Sequence, residues 1–338
     1  MLSGRYRGVR IPACETYNPT GLRGVRSEVT VLIRIYQLLF SSLNKKTILY
    51  SVIILLSTII IYSCSDSANE YKSTNTPSRI ISMAPSVTEI IYALSLQNRL
   101  VGVSSFCKYP AEVCELPTVG GYVNPDYEQI LKLKPDLVIL LEEHVNVIEF
   151  LKKHKIGYLK VDSDSCSAIL NSIKSIAQIC GERIRGEELV EDIWKKLNKV
   201  PSLTKRPKVL ICIGRNGVGN GKVEKVYAAG RKSFYNELIV ASGGVNACNE
   251  SDALYPTMSV EGIIRLEPDI IIDCSSSMER ISEKSIVKDW ESLDMMKAVK
   301  TGDVYSLSFN FVTIPGPRIV LIADKFRSIV NCWKDKNG

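Results

Sequence analysis

The chain has 338 residues, 45% of them hydrophobic and 23% charged, with 14 Pro and 21 Gly. At roughly 150 residues per domain this is room for about two domains, and the composition excludes a disordered, collagen-like or polytopic membrane protein. The formal charge of +7 belongs to the leader: residues 1–63 net +6, the rest of the chain nets +1, and nothing in the body calls for nucleic acid.

Residues 1–42 show neither core periodicity nor a recognisable domain, and translation is expected to start near Leu43. Lys45 and Lys46 precede the uncharged, mostly apolar residues 47–62, followed by Ser63, Cys64 and a polar run. A positive start, a short apolar stretch and a small residue before the cut make residues 43–63 a secretory signal. The stretch is shorter than the roughly 20 residues that a membrane span needs. Ile61-Tyr62-Ser63-Cys64 resembles the lipobox of bacterial lipoproteins, which implies acylation of Cys64 and a lipid-anchored, exported protein. Two or more acyl chains anchor stably where one is marginal. Residues 64–78 then form a polar tether.

From Arg79 the pattern is that of α/β units. Residues 79–83 form a short apolar strand, and Ser86 with Glu89 fits a capping box opening a helix over 87–94. Further strands are expected at 100–103, 136–141 and 157–161, with an amphipathic stretch over 147–154. Strands alternating with helices imply a parallel sheet covered on both faces. These units make an N-terminal lobe over residues 79–164.

A repeat follows. Glu128-Gln-Ile-Leu-Lys-Leu-Lys-Pro-Asp-Leu-Val-Ile139 recurs as Glu261-Gly-Ile-Ile-Arg-Leu-Glu-Pro-Asp-Ile-Ile-Ile272 at a constant offset of 133. A short helix ending in Leu-x-Pro-Asp and running into a buried strand is used twice. Asn124-Pro125 and Thr257 are the candidate helix starts. Between the copies, residues 165–204 carry helical periodicity, broken at Gly181 and ended by Pro201. They read as a stiff helical connector to a C-terminal lobe over 205–338.

Cys14 and Cys64 apart, eight cysteines remain and show no CxxC pair. With His144 and His154 as the sole histidines, a Cys/His zinc site is not expected. Cys212, inside an apolar run, reads as a buried thiol. The pairing of Cys107 with Cys114 is left open. Residues 214–222, Gly-Arg-Asn-Gly-Val-Gly-Asn-Gly-Lys, fail the phosphate-loop pattern at Asn216 and Val223, and Lys222 stands where a dinucleotide fingerprint has its third Gly. The segment is expected to be a flexible loop beside the cleft. Neither histidine lies in a nucleophile context, and both read as surface residues, so no enzyme and no catalytic residue is expected.

The motifs 79–89, 101–106 with Tyr109-Pro110, 119–125, the two Pro-Asp strands and Pro317-Arg318 together resemble the substrate-binding lipoproteins of ABC importers for vitamin B12, ferric siderophores and haem. The resemblance covers residues 79–332. It implies an α/β fold of the class III periplasmic binding protein type, with parallel sheets flanked by helices in two lobes joined by a single long backbone helix. The partners implied are a permease dimer with its ATPase. The cobalamin-binding branch is the nearest. It implies a ligand held between Phe106 and Tyr122 on the first lobe and Tyr255 on the second, with Asn310 and Phe311 at the rim. Aromatic side chains suit a planar macrocycle. Asn310 and Thr313 stand where that branch has an acidic pair, and Leu141 where it has a tryptophan. Haem is the rival ligand, with Tyr122 as a possible iron ligand. A siderophore would use Arg215, Arg231 and Arg318. No resident cofactor or metal is implied, and too few histidines are present for a zinc or manganese importer. The family also implies that Glu128 and Glu261, one per lobe, dock on the permease. A sensing or scaffolding envelope lipoprotein without a transporter is the remaining alternative.

Overall fold

The computed structural model describes residues 75–199, 201, 205–275 and 281–337. All the described residues belong to one compact unit, Asn69–Gly338. The expected leader, the signal and Cys64 lie outside the described residues.

The N-terminal lobe is a four-stranded parallel sheet in the order β2-β1-β3-β4, from β1 (Ile80–Ser82), β2 (Leu100–Val103), β3 (Leu137–Leu141) and β4 (Tyr158–Val161). Its strands are almost wholly buried, because helices α1 (Pro85–Ala93), α2 (Tyr127–Lys132) and α3 (Val145–Lys153) follow β1, precede β3 and follow β3. Burial on both faces is why these strands read as continuous apolar runs rather than alternating ones.

The connector is two helices, α4 (Cys166–Ile179) and α5 (Arg183–Leu197), packed against each other, where the resemblance implied a single long one. Gly181 breaks them with φ of 77°. The Gly181 N–H donates to the Gln178 carbonyl and the Glu182 N–H to that of Ala177. This is a Schellman stop, which needs a left-handed residue that glycine supplies without strain. The two helices approach so closely that a Cβ on Gly186 would lie 2.3 Å from the Ala177 Cβ.

The C-terminal lobe is a six-stranded sheet built on β5 (Lys208–Arg215), β6 (Lys225–Ala228), β7 (Val245–Asn246), β8 (Thr257–Ser259), β9 (Ile270–Asp273) and β10 (Val304–Ser306). The parallel arrangement holds through β10, β9, β5 and β7, while β6 and β8 add antiparallel. The β5–β6 connection is too short for a helical crossover, so the chain turns back on itself. Helices α6 (Phe234–Ala241), α7 (Val260–Leu266), α8 (Glu283–Trp290), α9 (Lys297–Lys300) and α10 (Ile319–Asn337) complete the lobe.

The repeat has a structural job. Lys134 and Glu267 each take a left-handed conformation, with φ of 47° and 48°, just after α2 and α7. The proline that follows cannot continue the helix. The next residue then forms a closed pair with the neighbouring strand. Arg79 N–H donates to the Asp136 carboxylate at 3.0 Å while Asp136 N–H donates to the Arg79 carbonyl at 3.0 Å. Lys208 and Asp269 repeat the arrangement at 2.9 and 2.8 Å. Each Pro-Asp thus registers one strand against its neighbour. The helix caps are Asp126 and Ser259, not Asn124 and Thr257; their side chains accept from Gln129 and Gly262 N–H. They too stand 133 residues apart, so the true caps keep the offset that the expected pair also satisfied.

A single hydrophobic cluster runs through all three parts. It takes Ile80 and Ile91 from the first lobe, Ile173 and Ile193 from the connector, and Phe234 and Trp333 from the second lobe. Each fully buried side chain of this size contributes roughly 1.5–3 kcal/mol, so the connector cannot hinge without opening core.

The second tie between lobes is ionic. The expected capping box does not form: α1 starts at Pro85 behind Ala84, whose side chain makes no cap bond. Proline at the first helical position suffices there. Glu89 instead crosses to Arg318, with Nε–Oε2 at 2.9 Å and Nη2–Oε1 at 2.5 Å. The guanidinium lies 3.8 Å over the Tyr109 ring and donates through Nη1 to Asn310 at 2.8 Å. A Cβ on Gly316 would sit 3.3 Å from Glu89 Oε2 and 3.4 Å from Ser86 Cα, so glycine lets the second lobe's last loop lie against α1. Burial pushes the Glu89 carboxyl up from its ordinary value, against the opposing pull of Arg318. The pair therefore specifies geometry more than it adds stability. Replacing Arg318 by Met alone is expected to destabilise the protein by about 3 kcal/mol, because it leaves a buried carboxylate unpaired. Adding Glu89→Leu should recover most of that loss in chemical denaturation. A double variant no more stable than Arg318→Met would contradict this account.

Candidate functional site

In the all-parallel sheet of the first lobe the loops after the strands gather at one edge, the usual place for a ligand in open α/β sheets. On the first lobe Phe106 follows β2, Tyr122 precedes α2, Glu143 and His144 follow β3, and Asp162 and Asp164 follow β4. The Gly120-Gly121 pair explains how the first two meet. Gly120 has φ of 78°, and a Cβ on Gly121 would lie 2.6 Å from the Phe106 ring. The aromatic ring rests on bare backbone.

Phe106 and Tyr122 are 64% and 52% exposed, unusually high for large apolar rings. The Tyr122 hydroxyl donates to the Glu143 carbonyl at 3.2 Å, and its ring stands edge-on to that of His144 with centroids 5.0 Å apart. Tyr122, Asn124, Glu143 and His144 are among the residues lining a depression of about 470 Å³. His144, expected at the surface, is buried: Nδ1 faces the Leu141 carbonyl at 3.3 Å, and Nε2 has no hydrogen-bond partner among the described residues. His154 is exposed, as expected.

Tyr255, on the second lobe, is 37% exposed. Burial and the carboxylates of Asp164 and Glu143 push its phenol up to about 12, which places it within electrostatic reach of the first lobe and keeps it protonated at neutral pH. Asp164 is pushed above the usual carboxylate range by burial and by Asp162, Glu143 and Glu142. The sequence reading missed this acidic rim, because its members lie in two separate loops, after β3 and after β4, and no local pattern marks them.

Asn310 and Phe311 are drawn into the inter-lobe clamp. Asn310 accepts from Arg318, and Phe311 stacks on Phe309 at 5.3 Å while packing on the main core. The three arginines considered for an anionic chelate are already engaged. Arg215 is buried between Asp273 at 2.9 Å and Asp289 at 2.6 Å, Arg231 is bound to Asp252, and Arg318 to Glu89. The loop expected to be flexible is instead tied down. Gly219 and Gly221 N–H groups both donate to the Asp289 carboxylate at 2.6 Å, and Gly217, Gly219 and Gly221 all have positive φ. The glycines allow the turn that the buried carboxylate demands.

Glu128 and Glu261 are exposed at the second position of α2 and α7, two residues after each cap. Its own backbone N–H and the Ser259 hydroxyl hold Glu261 below the usual carboxylate range. Cys107 and Cys114 are free thiols, the former buried and accepting from the Thr88 hydroxyl at 3.1 Å, the latter exposed. Among the described residues no group of three or more His, Cys, Asp or Glu is placed to hold a metal ion, and no helix is long and apolar enough to cross a membrane.

This geometry has relatives. The periplasmic binding protein family model matches residues 80–310. An uncharacterised ABC transporter substrate-binding lipoprotein, YvrC of Bacillus subtilis, is 30% identical over 72% of this chain and 77% of its own length. A vitamin B12-binding protein of Vibrio parahaemolyticus is 26% identical over 74% of this chain and 90% of its own length. The high-affinity haem uptake protein IsdE of Staphylococcus aureus is 26% identical over 78% and 90%. Among solved structures, a possible iron-binding periplasmic solute-binding protein of Staphylococcus epidermidis superposes with a TM-score of 0.65 at 27% identity, covering 76% of this chain and 99% of that one. The vitamin B12-binding protein of Vibrio cholerae does so at 0.64 and 21%, covering 76% and 98%, a likeness of fold. The chain therefore belongs to the periplasmic binding protein family, as a substrate-binding component of an ABC transporter.

Proposed function

We propose that this protein captures cobalamin or a related corrinoid between its lobes and delivers it to a membrane permease. The observation that carries the reading is the exposure of Phe106 and Tyr122 on the first lobe and of Tyr255 on the second, on lobes tied by shared core and by Glu89–Arg318. Rigid rings held apart at a fixed spacing suit a large planar ligand, because little side-chain entropy is lost on binding. The relative that binds vitamin B12 supports the same ligand class. Haem is the second reading, supported by the exposed phenol of Tyr122 and by the staphylococcal haem-uptake relative. The binding step requires no bond to be made or broken, and we assign the protein no enzymatic role.

Attachment and docking complete the proposal. Cys64 is the acylated residue that holds the protein at the outer side of the cell membrane. Glu128 and Glu261, in equivalent places on the two lobes, meet arginines of a two-fold permease dimer as carboxylate–guanidinium pairs. No sensing role without a transporter is needed to account for a cleft of this kind.

Three experiments test these parts. Titrating the full chain in detergent micelles with cyanocobalamin, ferric protoporphyrin and ferric siderophores should quench its aromatic fluorescence with the corrinoid; silence with all of them would remove the ligand-capture reading. Cells carrying Glu128→Gln with Glu261→Gln should lose uptake while the purified variant keeps its ligand affinity, and normal uptake would remove the docking role. Metabolic labelling with a fatty acid should be lost in Cys64→Ala. Persistent labelling would place the anchor elsewhere.

A further inference from the structure

Resting on the reading of the cleft as a macrocycle site, we propose that its N-terminal wall recognises a ligand fringed with amide N–H groups and rejects one fringed with carboxylates. The warrant is that the Tyr122 hydroxyl and the His144 imidazole, which meet edge-on at this depression, both present acceptors to it, while Asn124 and Asn146 on the same lining can donate or accept. The Tyr122 proton is committed to the Glu143 carbonyl, so the hydroxyl offers lone pairs outward. In His144, Nδ1 faces the Leu141 carbonyl, which can only accept, so the ring proton sits on Nδ1. Burial holds the imidazole neutral by pushing its pKa down, which leaves Nε2 as a bare acceptor. That nitrogen is buried and without a partner among the described residues, and His144 lines the depression shared with Tyr122 and Glu143. An unpaired buried acceptor is costly until a donor reaches it.

The register that pairs Leu141 with Val161 sets Glu142 and Glu143 beside Asp162 and Asp164 at the ends of β3 and β4, and burial together with these neighbours pushes the Asp164 carboxyl up from its ordinary value. One carboxylate oxygen of Asp162 already takes the Asp164 N–H at 2.9 Å; among the described residues no salt bridge engages any of the four carboxylates. The basic side chains on the opposing lobe, Arg231 and Lys232, are held by Asp252. A ligand edge made of carboxylates would meet like charge and acceptor against acceptor. An edge made of primary amides donates to each of these atoms. Corrinoids carry the second kind of edge and haem the first, so the wall discriminates between two macrocycles of similar size and flatness. The same contact geometry disfavours Tyr122 as an iron-ligating phenolate, which would set two oxygen lone pairs against each other at the Glu143 carbonyl.

The test uses two corrinoids that share ring, metal and axial ligands: cyanocobalamin, and the cyanocobalamin derivative in which one peripheral primary amide is hydrolysed to a carboxylate. Calorimetric titration of the full chain in detergent micelles at pH 7 should show the carboxylate form binding at least tenfold more weakly. Glu143→Gln with Asp164→Asn, both at the rim, should shrink that ratio to threefold or less. Equal affinities for the two forms, an undiminished ratio in the double variant, or tighter binding of ferric protoporphyrin than of cyanocobalamin would overturn the proposal while leaving the importer reading in place. Failure to bind any of the three compounds would instead overturn both.

Discussion

The arrangement of this molecule turns on one buried ion pair, Glu89 with Arg318. It joins residues 229 positions apart, one from each lobe, and the loop that carries Asn310, Phe311 and Gly316 is seated by it. Removing water from a carboxylate and a guanidinium is expensive, and the gain from their attraction returns only part of that cost. What the pair supplies is a geometry that admits one register of the lobes. The shared core through the connector helices acts in the same direction, since any hinge motion would separate buried side chains such as Ile173 and Phe234. Together they fix the distance between the ring faces of the first lobe and Tyr255 of the second.

A cleft fixed in advance carries its own logic. Binding loses less free energy to ordering when the walls are already in place. The site also keeps features that folding alone would not favour: two rings more than half exposed, clustered carboxylates, and a buried imidazole nitrogen without a partner. Each is unfavourable in the empty protein and becomes favourable when a flat, donor-edged ligand fills the space. Such features are concentrated here at loop residues standing on rigid strands, which is where a ligand-holding protein places them.

Much of the fold was legible in the sequence because its signals are local. The Leu-x-Pro-Asp repeat announced two equivalent helix-to-strand turns, and the structure shows why the motif has that form: a left-handed residue, a proline that ends the helix, and an aspartate that registers the next strand. Gly181 was readable as a break, and the break is real. Glu89 misled, since a carboxylate three residues after a serine satisfies the capping-box pattern, while its true partner lies in another lobe. The loop at 214–222 misled in the same way. Its glycines look like freedom, but they answer to Asp289, more than sixty residues later. The aromatic residues proposed for the cleft came from family resemblance rather than from local pattern. His144 and the acidic rim were missed because their proximity arises only when the ends of β3 and β4 are paired side by side.

The rigidity of the cleft is the claim on which the rest depends, and an inter-lobe distance measurement tests it most directly. Spin labels attached at positions 132 and 265 through bio-orthogonal side chains would sit on exposed helix positions of the two lobes. Pulsed dipolar spectroscopy would then report their separation with and without saturating cyanocobalamin. The account predicts distributions that coincide to within about 1 Å, as in other preorganised complexes. A shift of more than about 2 Å toward shorter distances, the signature of lobes closing on their ligand, would contradict it.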